Sequence, residues 1–126
     1  PHCVIFKQPG ESWTREDLLT LGPALENHSL FPKRTNVQLA VPTGPKDIFI
    51  LIWERGAGET QASGSSSCAA ASAAVRLGLV KGPVTVKMPG GTLNIEVAQD
   101  FSLTMKGPVA EVARGALSPS FVRGLQ

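Results

Sequence analysis

With 126 residues, 42% of them hydrophobic and 17% charged, the chain has the length of one domain and enough apolar side chains for a real core, against intrinsic disorder. Twelve basic against ten acidic residues leave a net charge of +2, which gives no electrostatic footprint for nucleic acid. No apolar run reaches membrane-helix length, no signal-peptide pattern opens the chain, and two cysteines, Cys3 and Cys68, are too few for a disulfide framework or a cysteine-type zinc site; a soluble cytoplasmic protein without a membrane partner is expected.

The chain begins directly on Pro1-His2-Cys3-Val4-Ile5-Phe6, an apolar run with no lead-in, which reads as a cut through a longer protein. Residues 3–7 are expected to form a buried strand closed by Gln8-Pro9-Gly10. Thr14-Arg15-Glu16-Asp17 follows as a capping-box pattern, with two acidic residues in the first turn where the helix dipole favours them. Gly22-Pro23 is expected to break this helix, leaving a second short one through about His28. Residues 37–41 alternate, with Val37, Leu39 and Val41 on one face. Residues 47–53 form another apolar strand, and the prolines of 42–46 suit a hairpin turn between the two.

The stretch from Gly56 to Ser67 has a linker's composition, yet it runs straight into Cys68-Ala69-Ala70-Ala71-Ser72-Ala73-Ala74. Small residues nearly all round predict a helix enclosed by other elements, stopped by Gly82-Pro83. The remainder reads as a meander of strands at 84–88, 93–97, 101–105 and 109–113, with a short or frayed helix over 118–126. The predicted class is therefore α+β: a mostly antiparallel sheet wrapped around a central Ala-rich helix.

Chemistry is concentrated between Trp53 and Cys68. A strand ending in Glu54-Arg55, a Gly-rich loop and a helix start near Ser65 or Ser66 present unpaired N–H groups and a positive dipole end, suited to a carboxylate or phosphate. Neither a Walker nor a Rossmann pattern is present.

Trp53-Glu54-Arg55-Gly56-Ala57-Gly58-Glu59-Thr60, with Ala62, Gly64 and Cys68-Ala69-Ala70 behind it, resembles the second signature of diaminopimelate epimerases. Three further stretches agree in order. Pro1-His2-Cys3-Val4 resembles the tail of the family's Gly-Asn-Pro-His element, and Leu21-Gly22-Pro23 through Arg34-Thr35-Asn36-Val37 its mid-domain signature. Val84 through Ile95 resembles its closing hairpin. The likeness covers nearly the whole chain. It implies the carboxyl-terminal lobe, residues 1–126, of a two-lobed, hotdog-like enzyme whose amino-terminal lobe is absent.

The implied activity is cofactor-independent inversion at the α-carbon of a diaminopimelate-like amino acid, in lysine and peptidoglycan-precursor biosynthesis, with no metal or other cofactor. One lobe supplies a base, the other an acid on the opposite face, and in the family both are cysteines. Carried over by position, Ser63 stands where the second catalytic cysteine is expected, with His2 and Glu54 tuning it. Gly64 and Ser65 would offer N–H groups to the substrate, and Asn36, Glu54 and Arg55 would hold its polar groups. A hydroxyl is far less acidic than a thiol, so Ser63 implies weak or absent catalysis. Because proton transfer needs both faces, the lone lobe is expected to be inactive. Two rivals stand beside this reading: a lobe that pairs with a second copy of itself or another partner, and an isomerase of the same fold, proline-racemase-like or phenazine-biosynthesis-like, with a different substrate.

Overall fold

The structure, a computed structural model, describes residues 1–125. In chain order the elements are β1 (His2–Phe6), α1 (Arg15–Glu26), β2 (Asn36–Gly44), β3 (Asp47–Glu54), β4 (Gly58–Thr60), α2 (Gly64–Arg76), β5 (Val84–Met88), β6 (Gly91–Val97), β7 (Leu103–Lys106) and α3 (Pro119–Gly124). The strands form one mixed sheet in the order β1-β2-β3-β5-β6-β7, with β4 pairing beside β3. Four joints are antiparallel, and two are parallel, β1 with β2 and β3 with β5. Each parallel joint follows from a helical connection, α1 in the first case and α2 in the second, as parallel pairing requires. The expected α+β class, a sheet curled around an Ala-rich helix, is what the structure has: α2 touches every strand of the main path. Among the described residues no helix is long and apolar enough to cross a membrane.

The core has two compartments separated by the sheet. On one face Ala40, Ile48, Ile50 and Ile52 meet Ala70, Ala71 and Ala74 of α2, together with Val84, Val86 and Ile95. On the other, Val37 and Leu39 meet Leu18 of α1, flanked by Ile5, Trp13, Leu25 and Trp53. β2 lies between them, so Val37 through Pro42 are all buried instead of alternating. The methyl-sized side chains of α2 let the sheet close around it on several sides at once.

Four expectations are corrected. The first helix is not broken at Gly22-Pro23: α1 runs through Pro23 to Glu26. Pro23 stands in the last turn, where it removes a single intrahelical donor. Gly22 is there for packing, since a Cβ on it would lie 2.6 Å from two ring carbons of Trp53. Thr14 does cap α1, accepting from Asp17 N–H while Asp17 reaches back to Thr14 N–H. Pro42 lies inside β2, opposite Ile48, beyond the last residue that β1 covers and beside an irregularity at Pro42–Gly44. That local edge and bulge tolerate its missing donor.

The central helix ends at Arg76, well before Gly82-Pro83. Gly78 N–H bonds Val75 C=O and Leu79 N–H bonds Ala74 C=O, a Schellman closure with Gly78 at φ 71°. Residues 109–113 are not a strand: after β7 the chain runs extended and open to solvent, with Val109 97% and Val112 96% exposed. The expected tail helix over 118–126 is present as α3, and Gln126 lies outside the described residues.

Gly22→Ala is predicted to destabilise the fold by about 1–3 kcal/mol through overpacking against Trp53, read as a lower urea midpoint with unchanged m-value. Gly115→Ala, with nothing within 4 Å of the added Cβ, is predicted to stay within about 0.5 kcal/mol.

Candidate active site

Sheet register gathers the residues singled out from sequence. β1 and β2 run parallel with His2 opposite Asn36, and β3 runs back with Trp53 opposite Val37. One step further along that register Glu54 stands opposite Asn36. Side chains alternate between sheet faces, and Val4, Ala40 and Ile52 belong to the compartment that holds α2. His2, Asn36 and Glu54, each two or four residues from one of those, therefore form a row across three strands on the α2 side. Gln38 shares the α2 side with them, one step deeper.

α2 begins at the same end of the sheet. It starts at Gly64, one to two residues earlier than expected, and its cap is Ser63, with extended backbone and its hydroxyl accepting from Ser66 N–H at 3.4 Å. Ser67 N–H and Ser67 Oγ both donate to the Ser63 carbonyl, at 3.1 and 2.8 Å. The Gly/Ser-rich stretch is thus an ordered helix entrance. Ser66 and Ser67 are fully buried and hydrogen-bonded. Gly64 and Ser65 N–H have no partner among the described residues, so they remain available to an anion at the positive end of the helix dipole. Ser63 and Gly64 border a cavity of about 270 Å³ whose far wall is the Gly90-Gly91-Thr92 turn and Pro108. Gly90 N–H donates to Gln61 C=O at 2.8 Å and pins the loop to that turn.

Around this end the polar contacts are specific. Asn36 Oδ1 accepts the Arg55 N–H at 2.8 Å, and Arg55 Nη1 donates to the Lys33 carbonyl at 3.0 Å. Both side chains therefore shape the wall as well as facing solvent. Gln38, fully buried, places Nε2 3.1 Å from His2 Nδ1 and 2.9 Å from Ser66 Oγ. The His2 ring is held below its ordinary pKa, first by partial burial and then by the amino terminus, with the Gln38 contact and then Glu54 pulling the other way. No hydrogen bond joins Ser63 to His2 or Glu54 among the described residues. Cys3 and Cys68 are free thiols, and burial raises the pKa of each, which suits packing better than nucleophilic work.

Sequence reasoning missed two supporting residues. Glu26 ends α1, where a carboxylate opposes the helix dipole. It is nonetheless buried, because its oxygens accept from Trp53 Nε1 at 2.7 Å and from Gly56 N–H and Arg34 Nη1 at 2.9 Å. The Trp53 and Gly56 bonds, in that order, hold it below the usual carboxylate range, and Arg34 adds to them. Glu26 thereby ties α1 to the turn that carries Arg55. Gln38 was hidden by an alternation read as one-sided; its signal is a polar residue set within the apolar run Val37-Leu39-Ala40-Val41. Glu59, unassigned from sequence, takes a bidentate contact from Arg15 at 2.7–3.0 Å and joins β4 to α1.

The family model described as diaminopimelate epimerase matches residues 1–112. The chain is 44% identical over 117 residues to a diaminopimelate epimerase of Desulfitobacterium hafniense, covering 93% of the chain and 40% of the relative. It is 45% identical to a diaminopimelate epimerase of Rhodospirillum centenum (98% and 42% covered) and 48% identical to diaminopimelate epimerase 2 of Nostoc sp. (94% and 40%). The chain thus spans about two-fifths of the length of these relatives. Among solved structures, a phenazine biosynthesis protein of the PhzF family from Bacillus anthracis matches with a TM-score of 0.56 at 14% identity, over 81% of this chain and 33% of that one. That likeness concerns the fold alone.

Two predictions follow from the geometry. Glu26→Gln lowers the melting temperature at pH 7. The folded-state pKa of Glu26 lies below its ordinary 4.5, so its contribution is present above that value and fades as pH falls through the lowered one. The gap between Glu26→Gln and the parent therefore closes on acidification below about pH 4.5, as thermal scans at several pH values will read. Ser63→Ala removes a long cap bond and is expected to cost about 0.5 kcal/mol, the low end of cap losses, measured by urea unfolding.

Proposed function

The chain belongs to the diaminopimelate epimerase family, and from that premise we propose that it is the carboxyl-terminal lobe of a cofactor-independent, two-base epimerase acting on diaminopimelate, its site completed by a first lobe. The observation that carries the reading is the convergence at one end of the sheet: the row His2, Asn36 and Glu54 stands beside a capped helix start with two free N–H groups. In this reading the α-carboxylate sits on Gly64 and Ser65 N–H. Charge developing as the α-proton leaves is then stabilised by donors already in place. Asn36 Nδ2, Glu54 and the outer guanidinium edge of Arg55 hold the remaining polar groups. Position 63 faces the α-carbon and exchanges the proton, while His2 and Glu54 set the proton affinity there.

Ser63 limits what this lobe does. At neutral pH a hydroxyl neither loses nor returns a proton as readily as a thiol, and its bond from Ser66 N–H suits it to holding the helix end. The lobe would therefore bind substrate and invert it little, and alone it would lack the base on the opposite face.

The reading is tested by α-hydrogen exchange and stereochemical inversion of diaminopimelate in D₂O. The isolated chain is expected to show neither. A two-lobed protein carrying Ser63→Cys is expected to invert the substrate about 10²–10⁴-fold faster than the same protein with serine. Exchange by the isolated chain, or no gain from Ser63→Cys, overturns it.

The tail supports a second reading, a lobe that docks on a second copy of itself. Val109, Val112, Leu117 and Leu125 are 97%, 96%, 67% and 69% exposed, more apolar surface than one isolated segment ordinarily shows water. Sedimentation equilibrium of the 126-residue chain is expected to show self-association under this reading, and a monomer at high micromolar concentration rejects it.

A further inference from the structure

We propose that Gln38 is a positioning residue that fixes the His2 imidazole as the tautomer with Nδ1 bare and the proton on Nε2. The side chain is fully buried between the His2 ring and the Ser66 hydroxyl. Its amide has two orientations. With Nε2 toward His2 and Ser66, both N–H groups are used, and one acceptor, Oε1, is left without a partner. Turned over, Oε1 faces both neighbours and two N–H donors are stranded in the same dry pocket. One orphaned carbonyl lone-pair site costs less than two orphaned donors. The amide therefore donates to Nδ1, which must be the unprotonated nitrogen, and the ring proton is on Nε2.

Ser66 meets the same amide from the other side. It sits in the first turn of α2, its oxygen accepts from Gln38, and its N–H is engaged by Ser63. Turned over, the amide would take the Ser66 hydroxyl as a donor instead, so the two stranded N–H groups decide the orientation. The helix start that carries position 63 and the imidazole beside it are thus joined through one buried amide. The charged groups near the ring are the Pro1 amino terminus, Glu54 on β3, and Arg76, which shares the shallow groove of about 530 Å³ with His2. None of them is hydrogen-bonded to Nδ1, so the tautomer is decided by Gln38.

The inference deepens the proposed epimerase reading, in which His2 sets the proton affinity at position 63, but its test needs no turnover. Long-range ¹H–¹⁵N spectra of the 126-residue chain resolve the ring nitrogens of its two histidines, and His28→Gln assigns His2. Above its titration midpoint, His2 is expected to show an unprotonated Nδ1 and a protonated Nε2. Gln38→Glu presents only acceptors, so it is expected to move the proton to Nδ1 and raise the His2 midpoint by about one unit. If burying that carboxylate unfolds the chain, Gln38→Met replaces it and is expected to leave a mixture of tautomers.

A parent spectrum with the proton on Nδ1, or an unchanged tautomer in a folded Gln38 variant, overturns the inference. In the two-lobed protein carrying Ser63→Cys, Gln38→Glu is expected to shift the pH profile of turnover while changing KM less than twofold. Absent turnover with the expected tautomer would reject the epimerase reading and leave the role of Gln38 standing.

Discussion

β2 has no side open to solvent over its first two-thirds, and the rest of the lobe is arranged to satisfy that condition. Covering both faces of one strand requires a helix on each, α1 over Val37 and Leu39 and α2 over Gln38 and Ala40. Covering both edges requires β1 and β3. The chain reaches β2 from β1 through α1, which makes that pair parallel, and leaves it by a tight turn, which makes the next pair antiparallel. Two strand beginnings and one strand end then lie together. The residues at those termini meet as a consequence of packing an apolar strand.

Polar groups inside such a structure must find partners or carry a penalty of about 1–3 kcal/mol each. Glu26 and Gln38 show two outcomes. Glu26 takes three donors from three separate segments and so fastens α1, the end of β3 and the following turn to one carboxylate. Gln38 uses both donors and leaves one acceptor unsatisfied, so part of that penalty remains in the fold. The small side chains of α2 serve both ends. They let the sheet approach from several directions, and at the helix entrance they leave backbone N–H groups uncovered.

Much of this was legible in the sequence, unevenly. The capping box at Thr14, the hairpin of β2 and β3, the enclosed Ala-rich helix and the β5–β6 turn rest on local signals that tertiary packing left intact. Pro23, Pro42 and the end of α2 were misjudged for one reason: a proline or Gly-Pro pair was taken as an automatic stop. In the structure the cost is absorbed by the last turn, by a bulge, or not met because Gly78 ends the helix first. Residues 109–113 have a strand's composition and, among the described residues, no strand to pair with. The candidate site residues His2, Asn36 and Glu54 are far apart in sequence, and no periodicity links them; only the family resemblance grouped them, and only the register explains their meeting. Glu26 and Gln38 escaped because a buried polar residue is recognised by its partners, which the sequence does not show.

The position of β1 carries one further consequence. It is an edge strand, hydrogen-bonded along one side to β2 and, among the described residues, to no strand on the other. Edges of this kind open by sub-global fluctuation at free energies below that of complete unfolding. His2 is carried by that strand, while Asn36 and Glu54 are carried by inner ones. The geometry of the row therefore lasts only as long as β1 stays docked, and amide hydrogen exchange along residues 2–6 reports its lifetime more directly than any melting temperature. Whatever lies against the free side of β1 in a larger assembly would set the precision of the site by lowering the frequency of that opening, without touching a single residue in it.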